Sequence, residues 1–181
     1  GSRQERDSNW LNLIKSAGVS SKVALAGGSF GIGKNAPFAC SELRTVFYGT
    51  KDVEGTVAFQ GVAKLVTHPN GDRELTQGIG YYGDTQRNTP VFDLHQIDEF
   101  YRRTNIGTDL FVMGFCADGD WEERVTRSVL ESFFLAIFDK NLVVRVGDII
   151  INDRTLPELM DRYIREDSRY LSAAYYDALK T

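Results

Sequence analysis

Apolar and polar positions along this chain alternate in short blocks of changing period. In "SNWLNLIKSAGVSSK" the apolar residues Trp10, Leu13 and Ile14 fall at helical spacing, and the stripe ends at Gly18. "NAPFACSELRTV" predicts a helix, with Pro37 in its first turn, where a missing N–H costs nothing. "TVFYGTK" and "GTVAFQGVAKLVTH" are rich in β-branched and aromatic residues and predict strands. "HPNGDRE" is a turn signal between strand-like runs, and "ELTQGIGYYG" predicts the returning strand. "DLHQIDEFYRR" predicts a short helix, and the continuous apolar run of "GTDLFVMGF" predicts a buried strand.

From Trp121 the period lengthens. Trp121, Val125, Val129, Phe133 and Ile137 recur every fourth residue, which predicts the core face of a helix. "LVVRVGDIIIN" predicts strands turning at Gly147-Asp148. Thr155 stands where an N-cap would, with Glu158 in the capping-box position, and the helical remainder carries Tyr163, Tyr170, Tyr175 and Tyr176. There is no internal repeat and no regular βαβ alternation. The pattern predicts an α+β fold, a two-layer sandwich with a mostly antiparallel, mixed sheet.

Composition adds limits. The 181 residues suffice for one domain with a sizeable core, and the hydrophobic and charged fractions are those of an ordinary globular protein. A net charge of −4 gives no electrostatic indication of a nucleic-acid partner. No apolar run is long enough to span a membrane and no signal peptide is present, so a cytoplasmic location is expected. Cys40 and Cys116 belong to no metal-ligand pattern and are expected to be reduced and mostly buried. His68 and His95 lie in polar, loop-like settings and receive no role. Gly1 and Ser2 read as a tag scar, so that the natural sequence would begin at Arg3 as a piece excised from a longer protein.

The chemistry-bearing stretch is "KVALAGGSFGIGKNAPFAC", with four glycines in the seven positions from Gly27 to Gly33 and a lysine directly after. Two phosphate cradles are written this way. "GSFGIGKN", Gly28 to Asn35, matches the P-loop pattern except that Asn35 replaces the magnesium-binding Ser or Thr, and no βαβ rhythm follows. Alternatively Gly28, Gly31 and Gly33 form a G-x-x-G-x-G turn opening onto a helix, whose backbone N–H groups suit an oligophosphate. A mobile loop shaped by structural glycines is the bland alternative.

The surroundings bear on the choice. Roughly Asn9 to Asn152 resembles the GHKL (gyrase, heat-shock chaperone, histidine kinase, MutL) or Bergerat-fold ATPases, with a flavour of bacterial MORC-related proteins. "NLIKSAGVSSK" is similar to the start of their ATP lid, and "GGSFGIGKNAPFACSELRTVFYGTK" to their second glycine motif, its helix and the strand behind. "GTDLFVMGF" is similar to their Gly-Thr strand, with Gly107 and Thr108 as the pair. The resemblance implies that Gly28, Ser29, Phe30, Gly31, Ile32 and Gly33 wrap the phosphates. It implies that Thr108 sits near the adenine, where its bland role is that of a good strand residue. It places Lys15, Ser16 and Ser21 in the lid. Lys34 departs from the chaperone pattern, which has an apolar residue there; its ammonium either reaches a phosphate or is solvated at the helix start.

The family's water-activating glutamate, magnesium-binding asparagine and D-x-G-x-G aspartate do not occur in this sequence. The expectation is therefore the C-terminal portion of a GHKL nucleotide domain over residues 3–152, followed by a helical extension, 153–181, toward another module. The parent would bind ATP and Mg and hydrolyse ATP; this piece alone would neither bind the cofactors nor turn ATP over, and no residue in it is expected to be catalytic. A lid at Ala17 to Ser29 is expected to be its most mobile internal segment. Self-association through an uncovered apolar sheet face is a further expectation. The rival readings are a non-enzymatic interaction module and a degenerate P-loop protein.

Overall fold

The computed structural model describes residues 33–71, 74–165 and 171–180. The stripe at Trp10, Leu13 and Ile14, the lid segment Ala17 to Ser29, and Gly28, Ser29, Phe30, Gly31 and Ile32 lie outside the described residues. The chain divides between Cys116 and Ala117 into two units. The boundary expected at 152/153 falls inside the second.

The first unit is built around β1 (Thr45–Lys51), which is paired on both edges. β2 (Val57–Lys64) and β6 (Gly107–Val112) flank it, and β5 (Ile79–Tyr82) adds to β2, giving the order β5-β2-β1-β6. Every pairing is antiparallel, including the small β3–β4 ladder (Pro69–Asn70 with Glu74–Leu75) at the expected turn. The fold is thus α+β with an antiparallel sheet, and the parallel strands of the P-loop reading are not found among the described residues. The loop from β1 to β2 is closed by the Asp52 carboxylate, which accepts from the Glu54 and Thr56 N–H groups at 2.9 and 2.8 Å.

Strand alternation gives this sheet two different faces. One carries Val46, Tyr48 and Val62, packed with Phe38 and Tyr81. Phe38 comes from a 3-10 turn (Gly33–Asn35) running into a one-turn helix, α1 (Ala36–Ala39). The helix predicted through Val46 stops early for two reasons. Ser41 bridges to Phe115 in the sheet, its hydroxyl accepting from the Thr45 N–H and donating to the Met113 carbonyl. Arg44 then takes φ 49°, outside the helical region.

The other face is aromatic. Phe47 lies opposite Gly61 and Phe59 opposite Gly49, so each ring has a side-chain-free partner across the ladder. Phe47 and Phe59 stack at 5.5 Å. Tyr101, from the second of two 3-10 turns (Leu94–Gln96 and Glu99–Tyr101) that replace the predicted short helix, packs on Phe47, Phe59 and Phe111. A Cβ on Gly61 would lie 2.6 Å from the Phe47 ring and 2.9 Å from the Tyr82 Cβ.

The second unit has its own core. α2 (Trp121–Phe138) is followed by the hairpin β7–β8 (Val144–Val146, Ile149–Ile151), turning at Gly147-Asp148, then α3 (Leu156–Met160), a π turn (Asp161–Arg165) and α4 (Ser172–Ala178). Leu130, Ile137, Ile151, Leu156, Met160, Ile164 and Tyr176 are buried together. The residues beyond 152 are therefore part of this core rather than an extension from it.

The buried face of α2 matches the predicted one only in part. Ile137 is buried and Trp121 and Val129 pack against the core, whereas Val125 and Phe133 are exposed and Thr126 and Leu130 are buried instead. A step of four residues advances about 40° beyond a full turn, so the five-residue stripe winds around the helix instead of marking one face. The start of α3 also differs. Thr155 makes no side-chain cap, and its hydroxyl donates to the Ile150 carbonyl. Asn152 organises the turn instead, its side-chain oxygen accepting from the N–H groups of Arg154 and Thr155.

Three substitutions probe these cores. Gly61→Val drives a branched side chain into the Phe47 ring and should cost about 1–3 kcal/mol in denaturant unfolding. Gly80→Ala, whose Cβ would meet only the Ala63 Cβ at 3.9 Å, should stay within about 0.5 kcal/mol of the parent or be slightly stabilising. Thr126 is fully buried with its hydroxyl unpartnered. Thr126→Val keeps the shape and should raise stability by about 1 kcal/mol in the same assay.

Candidate functional site

The chemistry concentrates where α1 meets the end of β2. The pairing Thr45↔Ala63 places Lys64 just past the start of β1, and the Lys64 N–H donates to the Arg44 carbonyl at 2.8 Å. The Lys64 side chain lies on the same face as Val62 and crosses the Phe38 ring, its ammonium 4.2 Å from the ring centre. From there it donates to the side-chain oxygen of Asn35. Arg44 fixes α1 from below, Nη1 donating to the Phe38 carbonyl at 3.2 Å. The backbone thus presents Lys34, Asn35 and Lys64 as one cluster.

The electrostatics of this cluster are unbalanced. Burial pushes the Lys64 pKa down, and repulsion from the Lys34 ammonium pushes it down further; among the described residues no carboxylate acts in the other direction. The Lys34 Nζ is buried and has no hydrogen-bond partner. An ammonium offers three donors, and leaving them unmade in a partly desolvated place costs more than a typical hydrogen bond returns. An anion seated between the lysines would accept from both and turn their repulsion into attraction. Asn35, which removes the P-loop hydroxyl from the sequence pattern, here orients a lysine.

The sequence-predicted residues are distributed unevenly over this geometry. Gly33 opens the 3-10 turn directly before Lys34, and nothing lies within 4 Å of where its Cβ would be. Thr108 is elsewhere. It pairs with Thr50, and the two hydroxyls are hydrogen-bonded at 3.0 Å. Five residues of strand separate Thr50 from Thr45, about 17 Å along β1. Between the two ends, the same face is occupied by the buried Tyr48 and Gln60. The structure brings Gly33 and Lys34 together and leaves Thr108 at the opposite end of the sheet.

Lys64 is the residue that sequence reasoning passed over. In "GVAKLVTH" it reads as the polar end of a strand. The signal that could have found it is positional: a strand returning antiparallel to "TVFYGTK" must end beside the segment that precedes that strand.

A second concavity, of about 680 Å³, opens between Gly83 and Gln96, lined by Asp84, Thr85, Gln86 and Arg87 among others. Its wall is tied to the sheet by the Gln60 side chain, which donates to the Asn88 carbonyl at 2.9 Å. Among the described residues no group of three His, Cys, Asp or Glu side chains could hold a metal ion, and no helix is long and apolar enough to cross a membrane. No protein-family model, curated protein or solved structure matches this chain.

Proposed function

We propose, departing from the expectation that this piece alone would not bind it, that the chain holds the oligophosphate of a nucleotide, ATP with Mg²⁺, at Lys34, Asn35 and Lys64, as a portion of a GHKL-type ATPase domain. The observation that carries the reading is the unpartnered, buried Lys34 ammonium beside a second lysine that no carboxylate among the described residues neutralises. Phosphate oxygens are the acceptors such a pair fits, and a lysine adjoining a glycine-rich turn is a common way to reach them. The expected glycine cradle, Gly28 to Gly33, runs directly into Lys34 in sequence, so its backbone N–H groups and the lysines would act on one anion.

Within this reading the residues have separate tasks. Lys34 donates to a phosphate oxygen. Asn35 and the Phe38 ring hold the Lys64 ammonium extended, which lowers the entropy lost when it takes a second oxygen. Mg²⁺ would enter on the phosphates, and no described residue is assigned to it. Thr108 is not placed in this site, and no residue of the chain is assigned to hydrolysis. ATP turnover, lid closure and dimerisation belong to the proposal for a whole GHKL protein.

Calorimetric titration with AMP, ADP, ATP and tripolyphosphate, each with Mg²⁺, tests the proposal. Affinity should rise with phosphate number and fall as salt is raised. Lys34→Ala and Lys64→Ala should each weaken ATP about tenfold or more, as expected for losing a charge-assisted hydrogen bond. Lys51→Ala, at the far end of β1 where its ammonium caps the Thr104 carbonyl, should leave affinity unchanged. Affinity indifferent to phosphate number, or to both cluster lysines in variants that melt like the parent, would overturn the reading.

A further inference from the structure

The chain has two cysteines, 40 and 116, far apart in sequence. In the fold they are cross-strand neighbours. The bridge between Ser41 and Phe115 is bracketed by two hydrogen bonds, Glu42 N–H to the Gly114 carbonyl at 2.8 Å and Cys116 N–H to the Cys40 carbonyl at 3.0 Å. Cys40 and Cys116 therefore face each other beside the bridge, joined by one backbone hydrogen bond, while the Cys40 N–H turns back to the Ala36 carbonyl. A single such bond between facing residues holds their Cα atoms about 5–6 Å apart, inside the range a disulfide spans. Both thiols are free and exposed, which corrects the expectation that they are buried. Ser41, the next residue and paired with Phe115, turns its hydroxyl into the Thr45 and Met113 backbone, while both neighbouring cysteines are exposed.

We infer that Cys40 and Cys116 form a reversible thiol–disulfide pair, oxidised by low-molecular-weight disulfides such as glutathione disulfide. One cysteine thiolate attacks a sulfur of glutathione disulfide. That S–S bond breaks, a mixed disulfide forms on the protein, and glutathione thiolate leaves and takes up a proton. The second cysteine, opposite, loses its proton and attacks the protein sulfur of the mixed disulfide, expelling the second glutathione. Two protein thiols are oxidised by two electrons, and one glutathione disulfide is reduced to two glutathiones. Exposure admits the small disulfide, and the cross-strand position makes the second attack intramolecular. The bond would tie the C-terminal end of α1, where Cys40 caps the helix through its N–H to the Ala36 carbonyl, to the segment that follows β6. The inference stands on the bridge alone and does not depend on nucleotide binding.

The test uses the whole chain and the chromogenic disulfide 5,5′-dithiobis(2-nitrobenzoate), without denaturant. The parent should release two chromophore equivalents yet retain no label, since the second cysteine displaces the first adduct. Peptide mapping without reductant should then show Cys40 joined to Cys116 within one chain. Cys40→Ser and Cys116→Ser should each release one equivalent and keep the label, which shows that both thiols are reachable. A parent that keeps two labels, or that joins its cysteines only between chains, would overturn the inference. So would a single-cysteine variant, with the same melting behaviour as the parent, that fails to react.

Discussion

β1 is hydrogen-bonded along both edges, and the rest of the first unit takes its positions from that double pairing. Its register with β2 sets Phe47 over Gly61 and Phe59 over Gly49, which makes the aromatic face possible. The same register delivers Lys64 to the start of β1, beside α1. Beyond its ladder with β6, the register shifts by two residues, and the isolated Ser41–Phe115 bridge sets Cys40 against Cys116. A slip of one residue would send each of these side chains to the wrong face. The Ser41 hydroxyl, bonded to backbone on both sides of this junction, is the local pin that resists it.

The functional consequence is a concentration of positive charge in a chain whose net charge is negative. Folding places the Lys34 and Lys64 ammonium groups near one another, shelters both in part from water, and gives Lys64 one amide oxygen, that of Asn35. Asn35 and Phe38 give Lys64 a hydrogen bond and a ring face, which stabilise it individually. Neither offers negative charge. In the proposed reading, an anion that accepts from both lysines would relieve this repulsion.

Much of the fold was legible where the signal is local. β1 lies on "TVFYGTK" because β-branched and aromatic residues crowd that run, and β7 and β8 turn at Gly147, whose φ of 55° suits glycine. What was not legible is decided by neighbours distant in sequence. "NAPFACSELRTV" has helical composition, yet the Ser41 bridge draws it into the sheet after one turn. Thr155 and Glu158 match a capping box, yet the Thr155 hydroxyl is turned back to the Ile150 carbonyl. The candidate site divides in the same manner. Lys34 was visible beside its glycines, whereas Lys64 follows from strand register and the cysteine pair from an isolated bridge out of step with it, neither of which periodicity reports. Thr108 carried the resemblance in sequence and proves to be tied to Thr50.

The central claim is that the two cluster lysines form an anion site whose own charges repel until it is filled. The most direct measurement is the titration of the Lys64 ammonium by NMR, with isotope-labelled lysine and Lys64→Arg for assignment, before and after adding tripolyphosphate. The account predicts that Lys64 titrates below an ordinary lysine, about 10.4, in the free protein. It predicts that the value climbs when the anion binds, and that Lys34→Ala raises it partway without the anion. A Lys64 that titrates like a solvated lysine and ignores both the anion and the loss of Lys34 would contradict it.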